Sequence, residues 1–576
     1  MIHACRTFLL RHAATAWWLV CAVALLATTW HFYVDMGVAA NCSGREFYLK
    51  PAADVLVLLL PYWILPPRRR GSILIPLWGL SVLYFTDAVY RRFTSECMPL
   101  SLLMQVSNVD TPLLDSAFSL LRKADIIYLF WPVMATAVWC MRSIRRAVCS
   151  AAIHWSVRAA AAVVTALVFW KSQVYFSRAY SQVWHFFNGS RMSVAEATWR
   201  RTVDRSAEAR CDHSFALYNS GVAVYIITEL WDTITYQNAI TLTAGERAGF
   251  DAYLRRDAAC DSIPQRHKNI VFVVVESLNA EAVGTHVGPE PVTPVLDSLI
   301  EASGTISSLN MVPQVGDGIS SDGQLIYNLG TLPLLDGAAT QSAIYGKRLP
   351  SLPAALAATH YPVAIFADRG LGWKKREAYP AYGYRRVLTS DSVATRFDLR
   401  AMGADEATMR YAVSLLPEFP QPFLLQILTI STHYAFGEPA ATDFSGGDIS
   451  GIERDYLRCV RYADASIGRL IDGLRSQGLL DSTMLIIASD HHMNMDSGLS
   501  PARPIVFIAA NCGHTEHIEE PVHQADVFPT VLDLLGVHSA WRGVGHSMLG
   551  PRRGDSDPRQ ATVSDSVLRS DYFPLQ

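Results

Sequence analysis

Hydrophobic positions run in long blocks through the first third of the chain and in short bursts through the rest. The two patterns predict two kinds of structure. Five apolar windows precede residue 172: residues 14–33 (ATAWWLVCAVALLATTWHFY), 52–65, 73–84, 126–140 and 159–170. With flanking small and aromatic residues each reaches about 18–20 residues, near the length that crosses a bilayer. A buried core helix is the alternative for any one window. From residue 171 to 210 aromatic and basic residues mix (KSQVYFSRAYSQVWHFF), which suits either a helix lying in the membrane interface or a solvated helical linker. A second helical connector follows, closed by Pro264 and the basic residues around 266–268.

Beyond that point short apolar runs alternate with helical periodicity. Strands are expected at 269–275 (NIVFVVV), 363–367 (VAIFA), 423–430 (FLLQILTI), 483–488 (TMLIIA) and 504–509 (PIVFIA). Helices are expected at 293–302, 351–358, 453–477 and 524–535. This alternation predicts an α/β domain with a mainly parallel central sheet. The polar stretch from Arg552 reads as a loose tail. The expected organisation is therefore a five-helix transmembrane domain at 1–172, a partly interfacial helical linker at 173–265, a catalytic domain at 266–551 and a tail at 552–576.

Charge orients the spans. Arg6 and Arg11 precede the first window, Arg68, Arg69 and Arg70 lie between the second and third, and Arg142, Arg145 and Arg146 between the fourth and fifth. The loops on the other side carry mixed charge. The positive-inside rule puts the N-terminus in the cytoplasm, and five crossings put everything after the fifth outside. The first window lacks a small-residue cleavage site and reads as a retained anchor.

Composition adds exclusions. Of 576 residues 50% are hydrophobic and 18% charged, against about 25% charged in soluble domains. The mean hydropathy is +0.17. Lys and Arg number 49 and Asp and Glu 52, a net charge of −3, which excludes a strongly basic nucleic-acid binder and an acidic disordered tail. Six of the ten cysteines (Cys42, Cys97, Cys211, Cys260, Cys459, Cys512) fall on the expected outer side. Pairs such as Cys42–Cys97 or Cys211–Cys260, and unpaired buried thiols, are equally compatible with that spacing. No CxxC motif is present.

Ligands of open α/β sheets bind beyond the carboxyl ends of the strands. The strand at 269–275 is followed by Glu276 and Ser277. The one at 363–367 is followed by Asp368, Arg369 and then Gly372-Trp373-Lys374-Lys375. Ser431-Thr432-His433 follow 423–430, and Ser489-Asp490-His491-His492 follow 483–488. Four such ends on one rim would make a site. Glu276, Asp490 and His491 combine carboxylate and imidazole donors that suit Mn²⁺ or Zn²⁺ and, less well, Mg²⁺. A helix cap or a hydrogen-bonded surface histidine is the plain reading of the Asp-His pair. The glycine-rich segment 316–323 (GDGISSDG) offers Ser320 and Ser321 at a helix start. It reads as an ordinary turn with an N-cap, or as a nucleophile beside anion-binding N–H groups.

In their order along the chain these features resemble the sulfatase-like branch of the alkaline phosphatase superfamily, and within it the lipoteichoic acid synthase and phosphoglycerol transferase group. The stretches VVVESL, TPVLDSL, GISSDGQLIYNLGTLP, AYGYRRV, TISTHYAF, YLRCVRYADASIGRLIDGLRSQGLLDSTMLIIASDHH and QADVFPTVLDLLG are similar to that group. The resemblance implies that Ser320 is the nucleophile where the group has threonine. It implies that Glu276, Ser320, Asp490 and His491 hold one metal, usually manganese, and that His433, Trp373 and Lys375 bind the headgroup. Lys375 replaces an arginine of the group, a point charge instead of a bidentate fork, and Arg369 or Arg376 could supplement it. A formylglycine sulfatase would need x-Pro-x-Arg after the nucleophile, which is absent. A two-metal relative would need an aspartate four residues before His433, where Thr429 stands. His523 reads as a helix cap or a relic of a second metal site.

The expectation is a metal-dependent transferase in a bacterial cytoplasmic membrane, with its catalytic domain outside. It moves a phospho-headgroup, glycerol phosphate first and ethanolamine phosphate second, from a phospholipid to a cell-envelope glycan or lipid through a phospho-serine. A non-catalytic membrane protein with a degenerate domain is the rival.

Overall fold

The computed structural model describes residues 2–36, 46–94, 97–98, 100, 117–188, 192–193, 195–197, 217, 221–236, 240–255, 268–341, 343–370, 374–434, 436, 444, 451–493, 503–551 and 553–575. Two compact units result: residues 1–100 with 117–235, and 101–116 with 236–576.

The first unit is helical: α1 (Ile2–Asp35), α2 (Glu46–Leu58), α3 (Leu74–Thr94), α4 (Ile126–Cys140), α5 (Arg142–Ser150), α6 (Trp155–Asn188) and α7 (Val222–Tyr236). Among the described residues three stretches are long and apolar enough to cross a membrane: His12–Asp35, Pro67–Arg92 and Trp155–Arg178. Lys123–Cys140 with Arg142–Ser150, bent by 80°, makes a fourth if counted as one span. Five spans were expected. The second window is divided instead: α2 gives way to a 3-10 turn, Leu60–Ile64, that contains Pro61. At 13 residues α2 is about 20 Å long, short of the roughly 30 Å apolar core. The fifth window continues through Asn188, so no break falls at residue 172.

Buried polar groups tie these helices together. The Tyr33 hydroxyl donates to Asp54 Oδ2 at 2.6 Å, and the Asp54 carboxylate accepts the N–H groups of Val222 and Ala223 at 3.2 and 3.0 Å, capping α7. Arg92 grips Asp125 with two bonds of 2.7 Å and reaches Asp35 at 2.6 Å, joining α3 to the starts or ends of two neighbours. Buried Arg70 donates to the carbonyls of Val148 and Ala151 at the end of α5. Each buried charge thus has partners, as an apolar setting requires.

The second unit opens with α8 (Ala244–Leu254), whose N-cap Thr243 and Glu246 form a capping box. A mixed sheet follows: β1 (Asn269–Val275), β2 (Ile306–Val312), β3 (Tyr361–Phe366), β4 (Arg386–Leu388), β5 (Phe423–Leu428), β6 (Thr483–Ser489), β7 (Ile505–Ala510), β8 (Glu516–His517) and β9 (Val522–His523). Its order is β8-β2-β7-β6-β1-β5-β3-β4, with β9 also on β2. The run β6-β1-β5-β3-β4 is parallel, and β7 is antiparallel to both β6 and β2. All five expected strands form, but the fifth, β7, runs against the others. Strand β2 (ISSLNMV) was missed because its serines and asparagine break any apolar run. Strands β1, β5, β6 and β7 are buried along their whole length, as their uninterrupted apolar sequences require.

The helices that position the site are α9 (Pro294–Glu301), α10 (Ser320–Leu329), α11 (Leu352–Leu356), α12 (Lys375–Tyr382), α13 (Ala404–Leu415), α14 (Gly451–Ser476), α15 (Val527–Leu534) and α16 (Arg559–Arg569). The C-terminal stretch, expected loose, is folded: α16 buries Val563, Val567 and Leu568, and Tyr572 and Phe573 pack on Trp541. Polar texture misled because the residues facing inward there include Gln560, Ser564 and Asp565.

Candidate active site and metal centre

The site stands beyond the carboxyl ends of β1, β3, β5 and β6. Glu276 directly follows β1, and Asp490 and His491 directly follow β6, which pairs with β1 in register along its length. That pairing makes the three residues neighbours. Their donor atoms lie within 4.8 Å of one another, and all three side chains are buried. His491 Nε2 is 3.1 Å from Glu276 Oε1, and Ser277 N–H donates to Asp490 Oδ1 at 2.9 Å.

Ser320 begins α10. Its hydroxyl donates to Glu276 Oε2 at 3.1 Å and lies 3.1 Å from His491 Nε2. The preceding Ile319 has φ 41° and Ser277 has φ 48°, left-handed values that cost a non-glycine residue of order 1–3 kcal/mol. Both strained residues adjoin candidate ligands, and both are held in place. Asp322 Oδ2 accepts the N–H groups of Gly316 and Gly318 at 3.0 and 2.9 Å, and burial pushes this carboxyl up to about 7. Glu276 N–H donates to Thr429 Oγ1 at 3.0 Å, and Thr432 Oγ1 donates to the Glu276 carbonyl. Gln524 Nε2 donates to the Asp490 carbonyl at 2.7 Å. This supporting set was not foreseen. Its members, Asp322, Thr429, Thr432 and Gln524, are ordinary polar residues with no spacing signal.

The donor set fits a divalent cation. Burial raises the Asp490 carboxyl, and the nearby Glu276 charge adds to that. Burial acts the same way on Glu276, but the hydrogen bond and charge of His491 outweigh it and hold Glu276 below the usual range. Burial would lower His491, yet the two carboxylates outweigh it and raise the imidazole. Two buried carboxylates thus draw positive charge into the site. His491 Nδ1 donates to the His492 carbonyl at 2.7 Å, which leaves Nε2 as the nitrogen turned toward Glu276 and Ser320.

The remaining expected residues fall into place unevenly. Lys375 begins α12, is buried, and pairs with Asp368 Oδ2 at 2.5 Å. Burial would lower its ammonium, but Asp368, and beyond it Glu276 and Asp490, outweigh this and raise it. Lys375 therefore lies in the field of the metal-type cluster. His433 follows β5 and lies near enough to Glu276 to favour its charge. Arg369 is exposed and pairs with Asp391 at 3.5 Å, and Arg376 is committed to Asp391 at 2.6 Å and to Thr389. Trp373 lies outside the described residues, as do Cys42, Cys211 and Cys260. His523 takes the capping role: it precedes the 3-10 turn Gln524–Asp526, and its N–H donates to Asp526 Oδ2 at 2.9 Å.

Two family models match the chain. The lipoteichoic acid synthase N-terminal domain matches residues 4–187 and the sulfatase family residues 268–537. The chain is thus similar in its two parts to the N-terminal and sulfatase-type domains of lipoteichoic acid synthase-like proteins. It is 23% identical to lipoteichoic acid synthase 2 of Bacillus subtilis (strain 168), over 92% of this chain and 82% of that one. Identity to a lipoteichoic acid synthase of Staphylococcus aureus (strain USA300) is 22%, over 89% and 80%. Among solved structures the fold is similar to the integral membrane lipooligosaccharide phosphoethanolamine transferase A of Neisseria meningitidis, with TM-score 0.54, 12% identity, and coverage of 91% of this chain and 96% of that one. An N-terminal helical region joined to a sulfatase-like α/β domain is therefore the architecture of this protein.

Proposed function

We propose that this protein transfers a phospho-headgroup, glycerol phosphate, from a membrane phospholipid to a cell-envelope hydroxyl through a covalent phospho-serine on Ser320. The observation that carries this reading is the Ser320 oxygen held at 3.1 Å from both Glu276 and His491, at the start of a helix. Similarity to lipoteichoic acid synthases over most of the chain supports the phosphoglycerol headgroup.

Glu276, Ser320, Asp490 and His491 would hold one divalent cation, Mn²⁺ before Zn²⁺ or Mg²⁺. It would supply charge that lowers the hydroxyl pKa and polarises a phosphoryl oxygen. In the first half-reaction the Ser320 oxygen bonds to phosphorus and the bond to the diacylglycerol oxygen breaks, that oxygen gaining a proton. In the second, an acceptor hydroxyl oxygen bonds to phosphorus, the bond from the Ser320 oxygen to phosphorus breaks, and the Ser320 oxygen takes up the proton that the acceptor loses. His433 steadies the phosphoryl oxygens or protonates the leaving oxygen. Lys375 and Arg369, with Trp373, serve the headgroup, Lys375 as a point charge beside the phosphate. The arginines at 68–70 and 142–146, read as cytoplasmic, support a catalytic domain on the outer face of a bacterial cytoplasmic membrane.

The test is headgroup release from labelled phosphatidylglycerol in vesicles, with intact-mass analysis of the protein. A glycerol phosphate adduct on wild type that is absent from Ser320→Ala supports the reading. Wild-type turnover by Ser320→Ala overturns it. An ethanolamine phosphate adduct would instead select the second headgroup.

A further inference from the structure

The sulfatase match ends at residue 537, yet the chain beyond it is built into the helix that begins with Ser320. Trp541 Nε1 donates to the Leu329 carbonyl at 2.7 Å, and Val544 N–H donates to the Gly330 carbonyl at 2.8 Å. These bonds meet carbonyls at the end of α10 that have no partner within the helix. From α16, Gln560 Nε2 then holds the Val544 carbonyl at 3.0 Å.

One turn further along α16, Ser564 Oγ accepts the Leu332 N–H at 2.9 Å, and Asp565 Oδ1 accepts the Leu335 N–H at 3.2 Å. Both side chains are buried. The loop they hold returns to the start of α10, where Gly337 N–H donates to Asp317 Oδ2 at 2.7 Å. Asp317 lies in the same glycine-rich segment as Ser320. Buried backbone N–H groups need partners, and here two side chains of a remote helix supply them. Losing either leaves a buried donor unsatisfied and lets the loop shift.

We infer that α16 is a positioning element for the nucleophile. Ser564 and Asp565 fix the loop 331–337, the loop fixes Asp317, and the segment 316–320 then presents the Ser320 oxygen to Glu276 and His491. Neither Ser564 nor Asp565 touches the reacting atoms. The inference rests on Ser320 being the nucleophile.

The experiment uses the full chain in phosphatidylglycerol vesicles, comparing Ser564→Ala, Asp565→Ala, Ser564→Thr and Ser320→Ala with wild type. Headgroup-release kinetics are read beside amide hydrogen exchange. For the two alanine variants the expected result is a fall in kcat of about tenfold with KM unchanged, since small displacements of a nucleophile are costly. Exchange should quicken in peptides spanning 316–337 and stay unchanged in β1 and β6. Ser564→Thr, which keeps the hydroxyl, should restore both. In wild type the Leu332 and Leu335 amides should exchange as slowly as strand amides. Wild-type kcat with quickened exchange, rapid exchange at Leu332 and Leu335 in wild type, or loosening spread through the whole domain would each overturn the inference. Turnover by Ser320→Ala would overturn the nucleophile reading separately, because the exchange results do not depend on it.

Discussion

Ser320 Oγ stands 3.1 Å from His491 Nε2, although the two residues are 171 positions apart in the chain. One begins a helix and the other follows the end of β6, and the sheet's parallel core brings them together. Glu276 completes the triangle from the neighbouring strand end, with His491 Nε2 3.1 Å from its Oε1. A hydroxyl and two metal-type donors within contact of each other set most of the expectations that follow.

Glu276→Gln and Asp490→Asn should each lose bound metal, because a carboxylate donor becomes a neutral amide in a buried site. Metal analysis of the purified protein should fall from about one Mn²⁺ per chain to near zero, with headgroup release falling by at least about a hundredfold. Retention of full metal content by both variants would count against this donor set.

Ser320→Thr should keep turnover within about tenfold of wild type, because threonine retains a hydroxyl at the same position. Steady-state headgroup release checks this. A loss as deep as that of Ser320→Ala would mean that the added methyl group cannot be accommodated beside the strained Ile319.

Gly323 lies on the inner face of α10, where a Cβ would collide with the backbone carbonyl of Asp490. Gly323→Ala should push α10, and Ser320 with it, away from the metal-type cluster. The expected cost is about 1–3 kcal/mol in stability, read by thermal melting, together with loss of headgroup release. Unchanged melting and activity would show that the two elements tolerate separation.

Lys375 and Asp368 form a largely buried pair at 2.5 Å. Lys375→Ala should leave Asp368 unpaired and cost about 3 kcal/mol, while Lys375→Ala with Asp368→Ala should recover much of that. In headgroup release Lys375→Ala should raise KM more than it lowers kcat. A double-variant cycle read by denaturant unfolding decides the first point, and equal losses in the single and double variants would contradict it.

Asp464 accepts the N–H groups of Val295 and Leu296 at 3.0 and 2.9 Å, and burial raises its carboxyl from 3.8 to about 6. The folded state therefore holds this proton more tightly than the unfolded chain. The Asp464 contribution is greatest below about pH 4 and declines as pH rises to about 6, by on the order of 3 kcal/mol. Asp464→Asn should remove that dependence. The stability difference between wild type and variant, measured by urea unfolding, should move against wild type over that interval and stay constant above it. A flat difference from pH 4 to 7 would contradict the assignment.

Much of this was legible in the chain. Short β-branched runs such as NIVFVVV read as strands buried on both faces, and the residue that follows such a strand stands at the rim where ligands bind. Glu276, Asp490, His491 and His433 follow from that rule. The site's supports did not. Thr429, Thr432, Ser277 and Gln524 carry no periodicity, and their roles depend on which backbone groups happen to lie beside them. Strand β2 and helix α16 were missed for a related reason: each buries polar residues, which a hydropathy pattern assigns to the surface.

The sequence by itself determined the division into a lipid-suited helical region and an α/β domain, and most of the groups that could do chemistry, because hydrophobic periodicity and strand-end position are local properties. The tertiary structure decided that these groups meet, through strand register and the entry of α10 beside β1 and β6. It also decided that α2 and α4 are too short or too bent for straight crossings, and that Ser564 and Asp565 of the C-terminal helix bind the backbone of the 331–337 loop. Those outcomes depend on contacts between residues hundreds of positions apart, where burial and hydrogen-bond satisfaction of the whole chain, and not local preference, select the arrangement.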